Sequence, residues 1–500
     1  MPLLSAYPDW KAPGEDSELL IWPEPGQLLH NTIESHRRLS ESRQRIAGIE
    51  LAELRRRQRE SLHLENCRPV MGTGHQAELY HSGVWAKLAL LHAAAPKIDA
   101  NCLHLAVDTD GPKHLNLRWP RWSQPITDDP RLTTAPWTGL LQGPTARHVN
   151  DLKSMLSEAA GDWPFAPMAI DVLDDLQRQA ARKPALPVAL TGATQRLDMQ
   201  LGLRHQALVA SPLWQGEPYL ALAHHLLGRA AEFAAIYNTA LHDYRAFHRI
   251  RTNGRPMPEL VASDNDCEAP FWVDDLSAQS RSRCHVRREG DRWILPLGGD
   301  EFVLQGSAHG WAAAATLREF LARHNARLSP RALTLTLFMR LLIVDQFIHG
   351  VGGARYDQVT DQVIERFIGL PAPSFAVSTA TLYFPTAVGR ARPCLPCLAQ
   401  EGHRLRHTVM GQTKMAMVRQ IEQLPRGSPE RQQVFTEMHT RLSAAVQAHP
   451  AIRSWEERLE NATRSGVQDA PLFDRELFYA LQPRERLMAI IEQYESRFSI

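Results

Sequence analysis

The chain has 500 residues, a formal net charge of +1, 44% hydrophobic and 22% charged residues. That length points to two or three domains or one elaborated core, and the near-neutral balance gives no bulk electrostatic drive toward nucleic acid or an anionic membrane. No apolar run is long enough to span a bilayer, residues 1–20 lack the basic start and cleavage site of a signal peptide, and six cysteines do not make a disulfide framework in a chain of this size; a cytoplasmic protein with reduced thiols is expected.

Residues 1 to about 25 contain Pro2, Pro8, Pro13, Pro23 and Pro25 and read as irregular. From Gly26 to about His63, apolar residues at Leu28, Ile33, Leu39, Ile46, Leu51 and Leu54 in a charged background predict one long helix. Its Arg55-Arg56-Arg57 reads as a solvated face rather than a phosphate patch. Together these make an N-terminal region, 1–66. Residues 67–73 predict a strand, 79–95 a helix and 102–107 a second strand. That order defines a βαβ unit and a parallel sheet.

Residues 119–146 are rich in Pro and Trp and read as loop, and 149–250 read as mostly helical. The segments 271–273, 284–287 and 293–297 read as short antiparallel strands turning at Glu289-Gly290-Asp291. A helix over 311–324, another from Pro330, a strand around Phe347, a helix over 356–367 and a strand over 375–384 follow. The expected architecture is an α/β core over 67–390 with a helical insertion at about 147–255, followed by a helical region over 391–500. Those helical regions offer surfaces for a homodimer.

The run 345–360, DQFIHGVGGARYDQVT, reads as a strand, a glycine turn and a helix start. Gly350, Gly352 and Gly353 would form the turn, with Arg355, Tyr356 and Asp357 in the first helical turn. Such a junction lets backbone amides approach an anion. It is neither the G-x-G-x-x-G fingerprint nor a Walker loop. A second junction, GTGHQAELYHSGVWAK over 72–87, places Thr73, Gly74, His75 and Gln76 at a strand end, with His81 and Lys87 on the next helix. Open α/β sheets bind ligands at that edge, where histidine and lysine would meet phosphates or developing negative charge.

Asp108 and Asp110 end the next strand and could hold a ribose hydroxyl, a magnesium ion or an amine. Ser329 reads as a helix N-cap with Pro330 at the first position, leaving Arg331 as a phosphate ligand. Ser378 and Thr379 bring hydroxyls to the last strand. Cys394, Cys397, His403 and His407 have the ligand types of a zinc site, but the gap between the pairs is short and Pro393 and Pro396 argue for a loop. The favoured alternative is two reduced thiols beside surface histidines.

The segment TGHQAELYHSGVWAKLALLH resembles the first strand–helix segment of the bacillithiol biosynthesis cysteine-adding enzyme family, whose pattern is TGQQ, a glycine and a helical lysine. The stretch 329–382 resembles that family's late region, with its paired-glycine loop and a Ser/Ala/Thr-bearing strand. The resemblance implies a Rossmann-like, nucleotidylyltransferase-like core with helical additions and a coiled-coil element, and an adenine nucleotide (ATP or ADP, with magnesium). It also implies a ligase that attaches cysteine to an amino-sugar malate conjugate. It supports Thr73, Gly74, Gln76, Lys87, Gly352 and Gly353. His75 stands where the family has glutamine, and Ala354, Arg355, Tyr356 and Asp357 depart from its acidic-apolar pattern. The competing expectation is a non-catalytic scaffold that keeps a nucleotide-binding fold.

Overall fold

The computed structural model describes residues 7–252, 254, 257–304, 310–389 and 395–499. It divides into two compact units, Met1–Pro385 together with Arg475–Ile500, and Thr386–Asp474. The first unit is mixed α/β. Eleven of its strands build two sheets: β1 (Leu19–Trp22), β2 (Val70–Gln76), β3 (Asn101–Val107), β4 (Gln206–Val209), β5 (Asp266–Asp275), β6 (Ser280–Glu289), β7 (Arg292–Leu297), β8 (Asp300–Leu304), β9 (Ala326–Pro330), β10 (Gln346–His349) and β11 (Phe375–Ala380).

The first sheet has the order β1-β11-β10-β2-β3-β4, and only β1 runs antiparallel. Its five parallel strands, numbered along the chain, stand in the order 3-2-1-4-5, so the winding reverses between β2 and β10. The residues explain the parallel strands. β11 is buried along its whole length, as a strand covered on both faces must be. Phe375 and Val377 on one face cluster with Trp10 and Ala354. Ser378 on the other bonds Tyr494, at 2.7 Å between hydroxyls. The second sheet, β8-β7-β6-β5-β9, is antiparallel throughout.

Several expected elements change. The long N-terminal helix is two, Pro25–Ser40 and Leu51–Ser61, with a hairpin of Arg45–Ile46 and Ile49–Glu50 between them. The "irregular" lead-in contains β1, and the helical insertion contains β4. The loop over 119–146 contains the hairpin Asn116–Trp119/Trp122–Pro125 at its start. Ser329 and Pro330 do not cap a helix. They end β9, paired with Trp272 and Phe271, and Arg331 is the N-cap of the helix Ala332–Phe338.

The second unit is helical. Leu395–Thr408 packs on Pro450–Asp469, and Gly411–Gln423 on Pro429–Ala448 around Met417, Ile421 and Met438. Around Pro393 and Pro396, where a loop was expected, the chain is helical from Leu395 onward. Residues 475–500, grouped above with this tail, belong to the first unit. There the helix Arg484–Arg497 packs on Ser82–Ala94, and Tyr479 stacks on Tyr80 and Trp85.

Candidate functional site

Because β2, β3, β10 and β11 run parallel, their carboxyl ends share one edge. His75 near the end of β2 and Gly352 just past β10 both lie there. Register pairs Ile348 with Thr73, so His75 shares a face with Ile348, while Gly74 shares the opposite face with Phe347 and His349. A Cβ at Gly74 would lie 3.4 Å from Phe347. The two junctions thus meet at one edge from opposite faces, where the winding reverses. Open α/β sheets form ligand crevices at such reversals.

On the first face, the helix Ser82–Ala94 begins directly over the edge. His81 caps it, its Nδ1 accepting the Gly83 N–H at 3.1 Å. Gly83 is required by close approach, since a Cβ there would fall 2.6 Å from Thr379 Oγ1 and 2.7 Å from Arg475 Nη2. One turn further in, Lys87 is 3% exposed and donates to Gly74 O at 3.2 Å. Among the described residues it has no carboxylate within ion-pair distance.

Burial lowers the Lys87 pKa to about 7, with Glu78 opposing the shift. Glu78 is buried, and burial raises its carboxyl to about 8 against the pull of Lys113 and Lys87. One of its oxygens lies 3.4 Å from His75 Nδ1, and the other has no hydrogen-bond partner among the described residues. Burial, then Lys87, holds His75 well below the ordinary imidazole range, and burial with Arg475 lowers His81 to about 3. This face therefore presents uncharged imidazoles beside a carboxyl that readily keeps its proton and an amine that readily loses one. That is the state proton transfer near neutral pH requires.

Gln76 donates to Asp110 at 2.8 Å, so the ends of β2 and β3 are tied together. A cleft of about 510 Å³ adjoins this constellation, lined by Leu79, Lys113, His114, Arg118, Glu476 and Phe478 among others. Leu79 N–H bonds His114 O, and His81 bridges Phe478. Arg475 donates to Thr379 Oγ1 and Ala380 O, each at 3.2 Å, while its buried Nε has no partner among the described residues. Glu78 and Arg475 were missed in the sequence. Glu78 lies within the 72–87 junction but was not singled out there, and Arg475 returns from the far end of the chain.

On the second face, Gly350 is the N-cap of Val351–Val363, so Val351, Gly352 and Gly353 form the first turn, and Arg355, Tyr356 and Asp357 follow it. Asp357 is not turned to a ligand. It is buried, with Arg340 Nη1 at 2.7 Å and His349 Nε2 at 2.7 Å on one oxygen and Thr336 Oγ1 at 2.8 Å on the other. His349 is a third residue the sequence did not single out.

Other candidates are occupied elsewhere. Arg331 pairs with buried Glu268 at 2.6 Å, on the second sheet, so its helix start needs no anion. Arg55, expected on a solvated face, is buried against Asp345. Thr73 donates to Ile348 O at 2.8 Å, and Asp108 accepts the Ser211 N–H at 2.8 Å. Arg355 reaches back to Trp10 O, and Tyr356 is 40% exposed. Ser378 is spent on Tyr494.

Of the zinc candidates, Cys394 and the side chain of His407 lie outside the described residues. His403 sits exposed on a helix, and Cys397 is disulfide-bonded rather than reduced. Among the described residues, no group of three or more His, Cys, Asp or Glu side chains is arranged to hold a metal. No helix among them is long and apolar enough to cross a membrane. No protein-family model matches the chain, and no curated protein matches it.

Proposed function

We propose that the carboxyl edge of this sheet, read as a Rossmann-like and nucleotidylyltransferase-like core, binds an adenine nucleotide. The protein would then catalyse an ATP-linked ligase or transferase step on a small molecule bearing an amine or thiol. The reading rests on one observation: at the strand-order reversal, the buried amine of Lys87 and the partnerless carboxyl oxygen of Glu78 converge beside the cleft at Lys113 and His114. Lys87 and Arg475 would offset phosphate charge. The amides of Gly352 and Gly353 would approach a phosphate from the other face. Glu78 and His75 would exchange protons with the amine or leaving group.

The resemblance to the cysteine-adding enzymes supplies the reaction class, carbon–nitrogen bond formation. The scaffold reading draws support from the internal pairing of Arg331, Asp357 and Ser378. Calorimetry of the full chain with ATP and ADP, with and without magnesium, separates the two. Binding weakened by Lys87→Ala supports the enzyme. Absence of binding at millimolar nucleotide favours the scaffold.

A further inference from the structure

His349 closes β10 at the carboxyl edge, and its surroundings are arranged around one nitrogen. Nε2 lies 2.7 Å from Asp357 Oδ2. Asp357 is itself fixed by Arg340 and Thr336, and Arg340 is anchored in turn on Asp361 and the Pro373 carbonyl. Burial pushes the Asp357 carboxyl up, but Arg340 and His349 more than offset this and hold it well below the usual carboxylate range. An ionised carboxylate only accepts hydrogen bonds, so Nε2 carries a proton, and in the neutral imidazole the lone pair is then on Nδ1.

Nδ1 faces Gly353, where a Cβ would stand 2.8 Å away. At Gly350 and Gly352 a Cβ would meet nothing within 4 Å, so there is open space over those two residues of the turn, and His349 beneath it is 5% exposed. The rings of Phe347 and Phe375, 4.6 and 5.4 Å from the imidazole centre, wall its sides. A side chain at 353 would close directly over Nδ1, so glycine leaves that nitrogen uncovered on this side.

We propose that His349 is a proton acceptor of this edge: Asp357 holds its Nε2–H, and Nδ1 is presented to an amine or hydroxyl nucleophile bound over the 350–353 turn. This assignment rests on the carboxyl edge being the ligand site. In the step, the nucleophile's N–H or O–H bond breaks and the proton moves to Nδ1. The electron pair stays on the nucleophile, free to form the new bond. The imidazolium so formed lies against the Asp357 carboxylate, which remains ionised, as in other carboxylate-oriented imidazoles.

Diethyl pyrocarbonate, which acylates unprotonated imidazole nitrogens, is the probe, with peptide mapping of the full-length protein by mass spectrometry. His349 is expected to be modified in the wild type. Gly353→Ala is expected to abolish that modification while circular dichroism shows an unchanged fold, and Asp357→Asn to slow it. An unmodified His349 in the folded wild type overturns the proposal, as does undiminished modification in Gly353→Ala. Because Asp357→Asn removes a buried charge partner, the alanine variant carries the test if the asparagine variant does not fold. Protection of His349 by ATP supports the proton acceptor and the nucleotide reading together. Modification in a protein that calorimetry shows to bind neither ATP nor ADP supports the proton acceptor and removes the nucleotide.

Discussion

The carboxylate of Asp345 accepts the backbone N–H of Val70 at 2.8 Å, joining the amino ends of β10 and β2 across 275 residues of sequence. These are the two strands between which the winding reverses, so the clamp sets their register from the end opposite the candidate site. The same carboxylate takes Arg55 and Arg59, each at 2.6 Å, and all three side chains are buried. Asp345→Ala would leave two guanidinium groups unpaired. Its expected cost is about 3–5 kcal/mol, the range for breaking a buried ion pair. Urea denaturation showing a loss below about 1 kcal/mol would mean the clamp is dispensable.

Gly83→Ala tests the tight start of the helix over the edge. The new methyl would sit 2.6–2.8 Å from Thr379 Oγ1, Arg475 Nη2 and His81 Cε1. Alanine normally favours a helix by up to about 1 kcal/mol over glycine. Here overpacking should reverse the sign, for a net loss of about 1–3 kcal/mol. A variant with a raised melting temperature would show that the strand and Arg475 give way easily.

Lys87 carries two opposite expectations. Lys87→Ala should weaken ATP or ADP binding by about 1.5–3 kcal/mol, the worth of a charged hydrogen bond, as calorimetry would read it. Lys87→Met should stabilise the fold near neutral pH and below. The folded pKa of about 7 lies under the ordinary 10.5, so the penalty for the buried ammonium is full below pH 7 and fades as pH rises toward 10.5. The ceiling on that gain is about 5 kcal/mol by linkage, less about 1 kcal/mol for the lost bond to Gly74 O. Equal stability of the two proteins at pH 6 would place the ammonium in a better-solvated environment than its burial implies.

Glu78 should make the fold weaken with rising pH. Its carboxyl titrates near 8 when folded against 4.5 ordinarily, so between those values the folded state holds the extra proton. Stability is full below pH 4.5 and is lost as pH climbs through 8. Glu78→Gln should flatten that slope, and the difference between the proteins should be greatest above pH 8. Denaturation series at several pH values would reveal it. Parallel curves for the two proteins would rule out a titrating Glu78.

The sheet was legible where the sequence is locally unambiguous. The apolar run of β3, the glycine turn after β10 and the Thr/Val-rich β11 each announce themselves by composition. Four-residue strands inside contrary surroundings did not. LLIW of β1 lies among prolines, and QALV of β4 follows a long helical stretch. Both are strands because an existing edge of the sheet pairs their backbones, which no local pattern encodes. Ser329-Pro330 failed for the same reason. A perfect capping signal lost to pairing with β5, where Ser329 Oγ also bonds buried Asp274 at 2.6 Å.

What the sequence determined by itself was the set of helices and strands with strong period or punctuation, and the two glycine junctions that end β2 and β10. Which charges are free was decided only in three dimensions. Arg331 found Glu268 63 positions away, Asp357 turned inward to Arg340, and Lys87 was left, among the described residues, without a carboxylate in ion-pair range. Arg475, from beyond the second unit, came back to Thr379 at the edge. A side chain's charge is written in the chain, but its partner and its access to water depend on segments brought together by topology, and those two quantities set its chemistry.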